Sequence, residues 1–210
     1  MYRQEKEEIL KTARKLMSYG IVKLSAGNLS VRRGDHVIVT PSGMDYEGLD
    51  SSDMVVVDMR GKVVEGERAP SLDTVGLLYI YNHIPRIQAL IHTHQVYATA
   101  VSLVADGIPA MLTPQVNTLK GDVPVTRFAP AGKVETGIVT VESIGDRNAV
   151  ILRQHGVMAA GKDLKEALYA VVYLEEAAQA YLAARSIGTP ATLNAEQIRE
   201  AINIFVGYIK

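Results

Sequence analysis

The chain has 210 residues, 48% hydrophobic and 21% charged, a globular mixture with enough apolar side chains for one full-sized core. Its formal net charge is −1 and its basic residues are scattered, which argues against nucleic acid or an anionic membrane as the main partner. The absence of cysteine excludes disulfides and thiolate metal sites and suits a reducing cytoplasm.

The opening stretch MYRQEKEEILK is too charged for a signal peptide, and no apolar run approaches the roughly 20 residues of a membrane span. The expectation is a soluble cytoplasmic protein with a single domain over residues 1–210. Along the chain, YRQEKEEILKTARKLMSYG puts Ile9, Ala13, Leu16 and Met17 on one helical face, and Gly20 can stop that helix. GNLSVRRGDHVIVT predicts two strands joined at RRGD, and MVVVDMRGKVVEG a second hairpin through RGK. APSLDTVGLLYIYNHIP predicts a helix that Ser71 can cap. IQALIH and NAVILR predict buried strands, with the short helix QVYATAVSLVA after the first. DLKEALYAVVYLEEAAQAYLAARSIG predicts the longest helix, capped by Asp163 and stopped by Gly188. Its apolar face runs through Leu164, Leu168, Val171, Val172, Glu175 and Leu182. NAEQIREAINIFVGYIK makes a last helix and tail. Helices and strands interleave, which is an α/β pattern, and no internal repeat or linker interrupts it.

Two of the five histidines, His92 and His94, end the apolar run QALIHTH one residue apart. On a strand, residues i and i+2 face the same way, so these imidazoles project side by side while Thr93 turns away. Neutral imidazole is a common ligand for zinc and related ions, and two at this spacing can hold one ion. The plain alternative is that both merely end a strand. His155, in AVILRQHGVM, also follows a strand and precedes Gly156, where the backbone can turn tightly. A third imidazole converging on the first two would complete a site with one position open to substrate or water. Asp73 has two readings. It can stabilise a helix N-terminus by its charge, or stand beside the metal as base or fourth ligand. His36 and His83 read as surface or turn residues. SAGNLS, TPSGM and APSLD each place small residues with hydroxyl or amide groups at a turn or helix start, where an anion such as phosphate can bind. Ordinary turn chemistry also accounts for each.

The ordered series AGNLS, TPSGM, PSLD, HTH and QHG resembles the class II aldolase/adducin family, which includes sugar-phosphate aldolases and 4-epimerases, and the likeness covers nearly the whole chain. The resemblance implies a three-layer α/β/α fold around a mostly antiparallel sheet. It also implies a homotetramer with active sites between subunits, acting on a small sugar phosphate. By position, His92, His94 and His155 match the metal ligands, for Zn2+ or another divalent ion such as Mn2+ or Co2+. Asn28, Ser42, Gly43 and Ser71 match phosphate-binding positions, and Tyr208 matches a tail tyrosine that donates a proton in a neighbouring subunit's site. The implied activity is retro-aldol cleavage of a ketose phosphate through a metal-stabilised enediolate, as in L-fuculose-1-phosphate aldolases. Alternatives within the family are a 4-epimerase like that for L-ribulose 5-phosphate, a decarboxylase, and a non-catalytic adducin-like scaffold. The chain departs from the pattern at four places. Asp73 stands where the aldolase branch carries Glu, and Asn117 where the epimerase branch has a catalytic aspartate. Leu72 and Leu77 replace a phosphate-binding serine and a frequent histidine. No G-x-G-x-x-G follows a strand, so nothing suggests a dinucleotide.

Overall fold

The structure, a computed structural model, describes residues 1–208, with residues 205–208 as backbone alone; the side chain of Tyr208 lies outside the described residues. The chain begins with helix α1 (Arg3–Ser18), strands β1 (Asn28–Arg33) and β2 (His36–Val39), and two short 3-10 turns. Strands β3 (Val55–Asp58) and β4 (Val63–Glu65), helix α2 (Thr74–His83), strand β5 (Ala89–Thr93) and helix α3 (Val96–Val104) come next. Then follow β6 (Gly107–Ile108), α4 (Thr113–Leu119), β7 (Val123–Pro124), α5 (Val134–Ile144) and β8 (Ala149–Leu152). The last elements are β9 (Gly156–Gly161), α6 (Leu164–Ile187) and α7 (Ala195–Tyr208). No helix among the described residues is long and apolar enough to cross a membrane.

Seven strands form one sheet in the order β4-β3-β2-β1-β5-β9-β8, and every neighbouring pair is antiparallel. The strands are apolar at nearly every position because the sheet is covered on both faces. Period-two alternation then sorts each strand into two cores. Leu29, Val31, Ile38, Val56, Ala89, Ile91, Ala149, Ile151, Val157 and Ala159 join one core, with α1, α3 and α6 supplying its helical side. Val37, Val39, Val55, Val57, Leu90, Val150, Leu152, Met158 and Ala160 join the other, beneath α2 and α5. The α/β/α layering implied by the family resemblance is the layering found.

The predicted helix stops and caps hold in three places, one of them Gly188, the C-cap of α6. Gly20 follows α1 at φ 70°, and Asp163 accepts a hydrogen bond from the Glu166 N–H at 2.8 Å to open α6. Ser71 is a correction: α2 begins at Thr74, and Ser71 instead accepts from the Asp73 N–H at 3.3 Å within the preceding turn. Helices α2 and α5 cross where Gly76 meets Gly137, and a Cβ on Gly137 would overlap the Gly76 carbonyl oxygen. This close approach sets α2 against α5, and the start of α2 lies where β1 begins and β5 ends, with Asp73 beside Asn28 and His92.

Candidate metal centre

Asn28 on β1 and His92 on β5 are register partners, so both side chains leave the same face of the sheet. Alternation puts that face under α2, whose N-cap residue is Asp73. Thr93 points to the opposite face, where its hydroxyl donates to Gln95 Oε1 at 2.9 Å. His94 follows the strand, and His155 lies in the turn between β8 and β9. Because β9 pairs with β5, that turn is delivered to the same sheet end as His92 and His94.

The three imidazoles converge. Ring centroids lie 4.9 Å apart for His92 and His94, 4.7 Å for His92 and His155, and 5.0 Å for His94 and His155. One nitrogen from each falls within 4.8 Å of the other two. His92 and His94 bring their Nε2 atoms to 3.1 Å. Two nitrogens bound to one tetrahedral zinc sit about 3.3 Å apart, so this spacing suits a shared ion. His92 Nδ1–H donates to the Val157 carbonyl at 2.7 Å, which leaves the Nε2 lone pair facing its neighbours. Burial pushes His92 down to about 4; the Asp73 carboxylate opposes that shift, and the His155 and His94 charges add to it. His94 and His155 are also lowered, each mainly by desolvation, His94 further by His155. All three rings are therefore neutral near pH 7, the form that ligates a cation. The donor set fits a divalent metal.

Two glycines permit this geometry. A Cβ at Gly27 would overlap the His92 carbonyl oxygen, and one at Gly156 would overlap that of Thr93 and come within 3.1 Å of His94 Cδ2. The role expected of Gly156 therefore changes. The left-handed residue of the turn is Gln154, at φ 57°, and Gly156 lies inside β9, where the backbone of β5 leaves no room for a side chain.

Asp73 makes no hydrogen bond to the N-terminus of its own helix. Its Oδ2 accepts from Asn28 Nδ2 at 2.8 Å and its Oδ1 from the Gly132 N–H at 3.0 Å. Oδ2 lies 3.9 Å from His92 Nε2, yet Asp73 does not join the donor cluster formed by the three histidines. It stands beside the site rather than closing it. Asn28 Oδ1 is buried without a partner.

The three anion-suited segments are neighbours in space. An antiparallel bridge pairs Pro41 with Pro70, the Ser42 N–H donates to the Ala69 carbonyl at 2.9 Å, and the Ser71 N–H to the Thr40 carbonyl at 3.1 Å. Thr40 in turn pairs with Leu29, the residue after Asn28. Gly43, at φ 70°, has open space where a Cβ would stand. Leu72 is 76% exposed. A cleft of about 530 Å³ opens beside His94, lined in part by Lys23, Gln95, Tyr97, Glu175 and Gln179. His36 and His83 take no part: His36 Nδ1 meets the Tyr2 hydroxyl at 2.9 Å, and His83 stacks on Tyr79. No residue pattern points to the Gly132 amide or the Val157 carbonyl as partners, since backbone groups carry no residue signature.

The family model for the Class II Aldolase and Adducin N-terminal domain matches residues 7–182. Among solved structures, an L-fuculose 1-phosphate aldolase is 33% identical over 96% of this chain and 95% of that one, with a TM-score of 0.91. The L-fuculose-1-phosphate aldolase from Thermus thermophilus is 29% identical over 87% of this chain and 96% of its own, at a TM-score of 0.75. The YgbL protein of Escherichia coli is 26% identical over 95% and 98%, at a TM-score of 0.85; it is described as an aldolase/epimerase/decarboxylase, without a choice among them.

Proposed function

The chain belongs to the class II aldolase/adducin family, and from that premise we propose that it is a metal-dependent sugar-phosphate aldolase. The reaction is reversible retro-aldol cleavage of a ketose phosphate. The observation that carries this reading is the convergence of His92, His94 and His155, with the Asp73 carboxylate at 3.9 Å from His92 Nε2. A scaffold with no chemistry has no need of three neutral imidazoles and a carboxylate aligned at one sheet end. The identity to an L-fuculose 1-phosphate aldolase over nearly both full chains supports the lyase over the epimerase. Asn117 points the same way, since an amide cannot move the proton asked of an aspartate at that position.

His92, His94 and His155 would hold the cation, zinc being the first choice for three imidazoles and manganese or cobalt the alternatives. Such an ion supplies Lewis-acid stabilisation of the negative charge that grows on a substrate oxygen as the carbon–carbon bond breaks. Asp73 acts as the base, taking a proton at Oδ2, with Asn28 and the Gly132 amide fixing the carboxylate's direction. The substrate phosphate sits against Ser42, Gly43 and Ser71, whose segments the Pro41–Pro70 bridge places together. Asn28 Nδ2 has two hydrogens; one goes to Asp73, and the other serves the anion. Leu72 offers the phosphate no hydrogen bond. The family likeness supports a homotetramer with sites between subunits, and in it Tyr208 donates a proton at a neighbour's site.

The test is a panel of ketose 1-phosphates with the metal-loaded protein, following release of dihydroxyacetone phosphate. Cleavage of one panel member is the expected result. No cleavage, with interconversion of L-ribulose 5-phosphate at its fourth carbon, would replace the lyase with the epimerase.

A further inference from the structure

Helix α3 lies between the two loops that carry His94 and His155, and both of its ends are tied down by side chains outside the donor set. At its start, His94 is followed by Gln95 as the N-cap residue, yet Gln95 makes no side-chain cap. The exposed amides are satisfied by another helix. Glu175, in the middle of α6, accepts from the Tyr97 N–H at 2.9 Å and from the Ala98 N–H at 3.0 Å. These are the second and third amides of α3, the donors that a capping residue ordinarily satisfies. Gln95, buried, donates to the Val171 carbonyl at 2.9 Å and accepts from Thr93. His94 is thus held between two residues fixed to their surroundings. At the other end, Ser102 Oγ accepts from the Gln154 N–H at 3.0 Å, and Arg153 Nη1 donates to the Ser102 carbonyl at 3.2 Å. Arg153 Nε also donates to the Thr126 carbonyl at 3.1 Å. These contacts hold the turn that carries His155, whose left-handed residue is Gln154.

We propose that α3 is a strut that sets the separation of His94 and His155, and that Glu175 is its positioning residue. The inference rests on the three-imidazole reading and extends it to a carboxylate that touches no ligand atom. Glu175 is half-buried at the edge of the cleft beside His94, and its two carboxylate oxygens are both engaged by α3 amides. The partial positive charge of the helix start favours a carboxylate over a neutral cap. Loss of Glu175 would let the first turn of α3 fray and carry His94 away from His155.

The experiment is Co2+ titration of metal-free protein, read by the affinity and by the visible absorption of the bound ion, which reports coordination geometry. Glu175→Ala should weaken Co2+ binding by about tenfold or more and alter the spectrum, within the range for losing a residue that orients a ligand. Glu175→Gln keeps one acceptor oxygen and should fall between. Asp163→Ala, which removes the cap of α6 away from the donor set, separates lost stability from lost positioning; it should lower the melting temperature and leave Co2+ binding unchanged. Should Glu175→Ala not fold, Glu175→Gln and Ser102→Ala carry the test, each expected to weaken binding several-fold. Wild-type affinity and spectrum in the foldable Glu175 variants would overturn the proposal. Failure of the unmodified protein to take up Co2+ is a separate result, which removes the three-imidazole centre and the strut with it.

Discussion

Asn28 and His92 face each other across β1 and β5, and both reach toward Asp73, Asn28 at 2.8 Å and His92 at 3.9 Å. Strand register thus does what no local motif can. It brings together a residue from the first hairpin, one from the adjoining strand β5 and one from a helix start. Asp73 is aimed from two sides and left near the imidazoles with one oxygen toward His92.

Asp73→Asn tests the carboxylate's chemical role. The substitution keeps the shape and removes the proton acceptor, so kcat should fall by roughly 10²–10⁴. Metal content, measured on the same preparation, should stay at the wild-type level because Asp73 stands outside the donor cluster. Loss of the ion together with activity would make Asp73 a ligand instead.

Gly156→Ala tests the close approach of β9 to β5. The added Cβ has no room beside the Thr93 carbonyl, and the backbone must shift at the ligand-bearing strand. A stability loss of roughly 1–3 kcal/mol is expected in denaturant unfolding, as for other overpacked sites. Metal affinity should drop as well. Unchanged affinity and stability would show that the strands yield at no cost.

The buried imidazole of His92 predicts an acid-side stability loss for the metal-free protein. Its folded value is about 4, below the roughly 6.5 of an unfolded chain. Above that unfolded value both states are neutral and His92 adds no pH dependence. As pH falls from about 6.5 toward 4, the unfolded state gains a proton that the folded state does not, so stability declines across this window. His92→Asn should flatten the slope between these limits in unfolding curves taken at successive pH values. An equal slope in the variant would assign the acid sensitivity to other groups.

Tyr208→Phe tests the tail. The proposed proton donor would be lost with its hydroxyl, so turnover should fall while the thermal unfolding midpoint stays the same. An unchanged rate would take the tail out of the mechanism.

Much of this architecture is legible in the chain because its signals are local. The hairpins follow from alternating apolar runs around RRGD and RGK, and α6 from Asp163, a long apolar face and Gly188. The three histidines were readable because each ends an apolar run. The expected strand NAVILR is present, but its partner β9, GVMAAG, is not predicted: a segment mostly of glycine and alanine carries little strand propensity, and pairing with β5 and β8 makes it a strand. Helix α5 was missed for the opposite reason. VETGIVTVESI is rich in β-branched residues, and packing of Gly137 on Gly76 overrides that preference. The apolar face read from the sequence includes Glu175, although a lone carboxylate among apolar residues is itself a sign of a polar partner. Its partners are backbone amides of α3, which no sequence pattern displays.

The central claim is that three imidazoles remote in sequence bind one cation, and X-ray absorption at the zinc edge on zinc-loaded protein tests it most directly. One zinc per chain with three imidazole nitrogens at about 2.0–2.1 Å is the expected spectrum, with the histidine contribution reduced in His155→Ala. A protein that takes up no zinc, or zinc whose spectrum is unchanged when His92, His94 and His155 are each replaced, would contradict it.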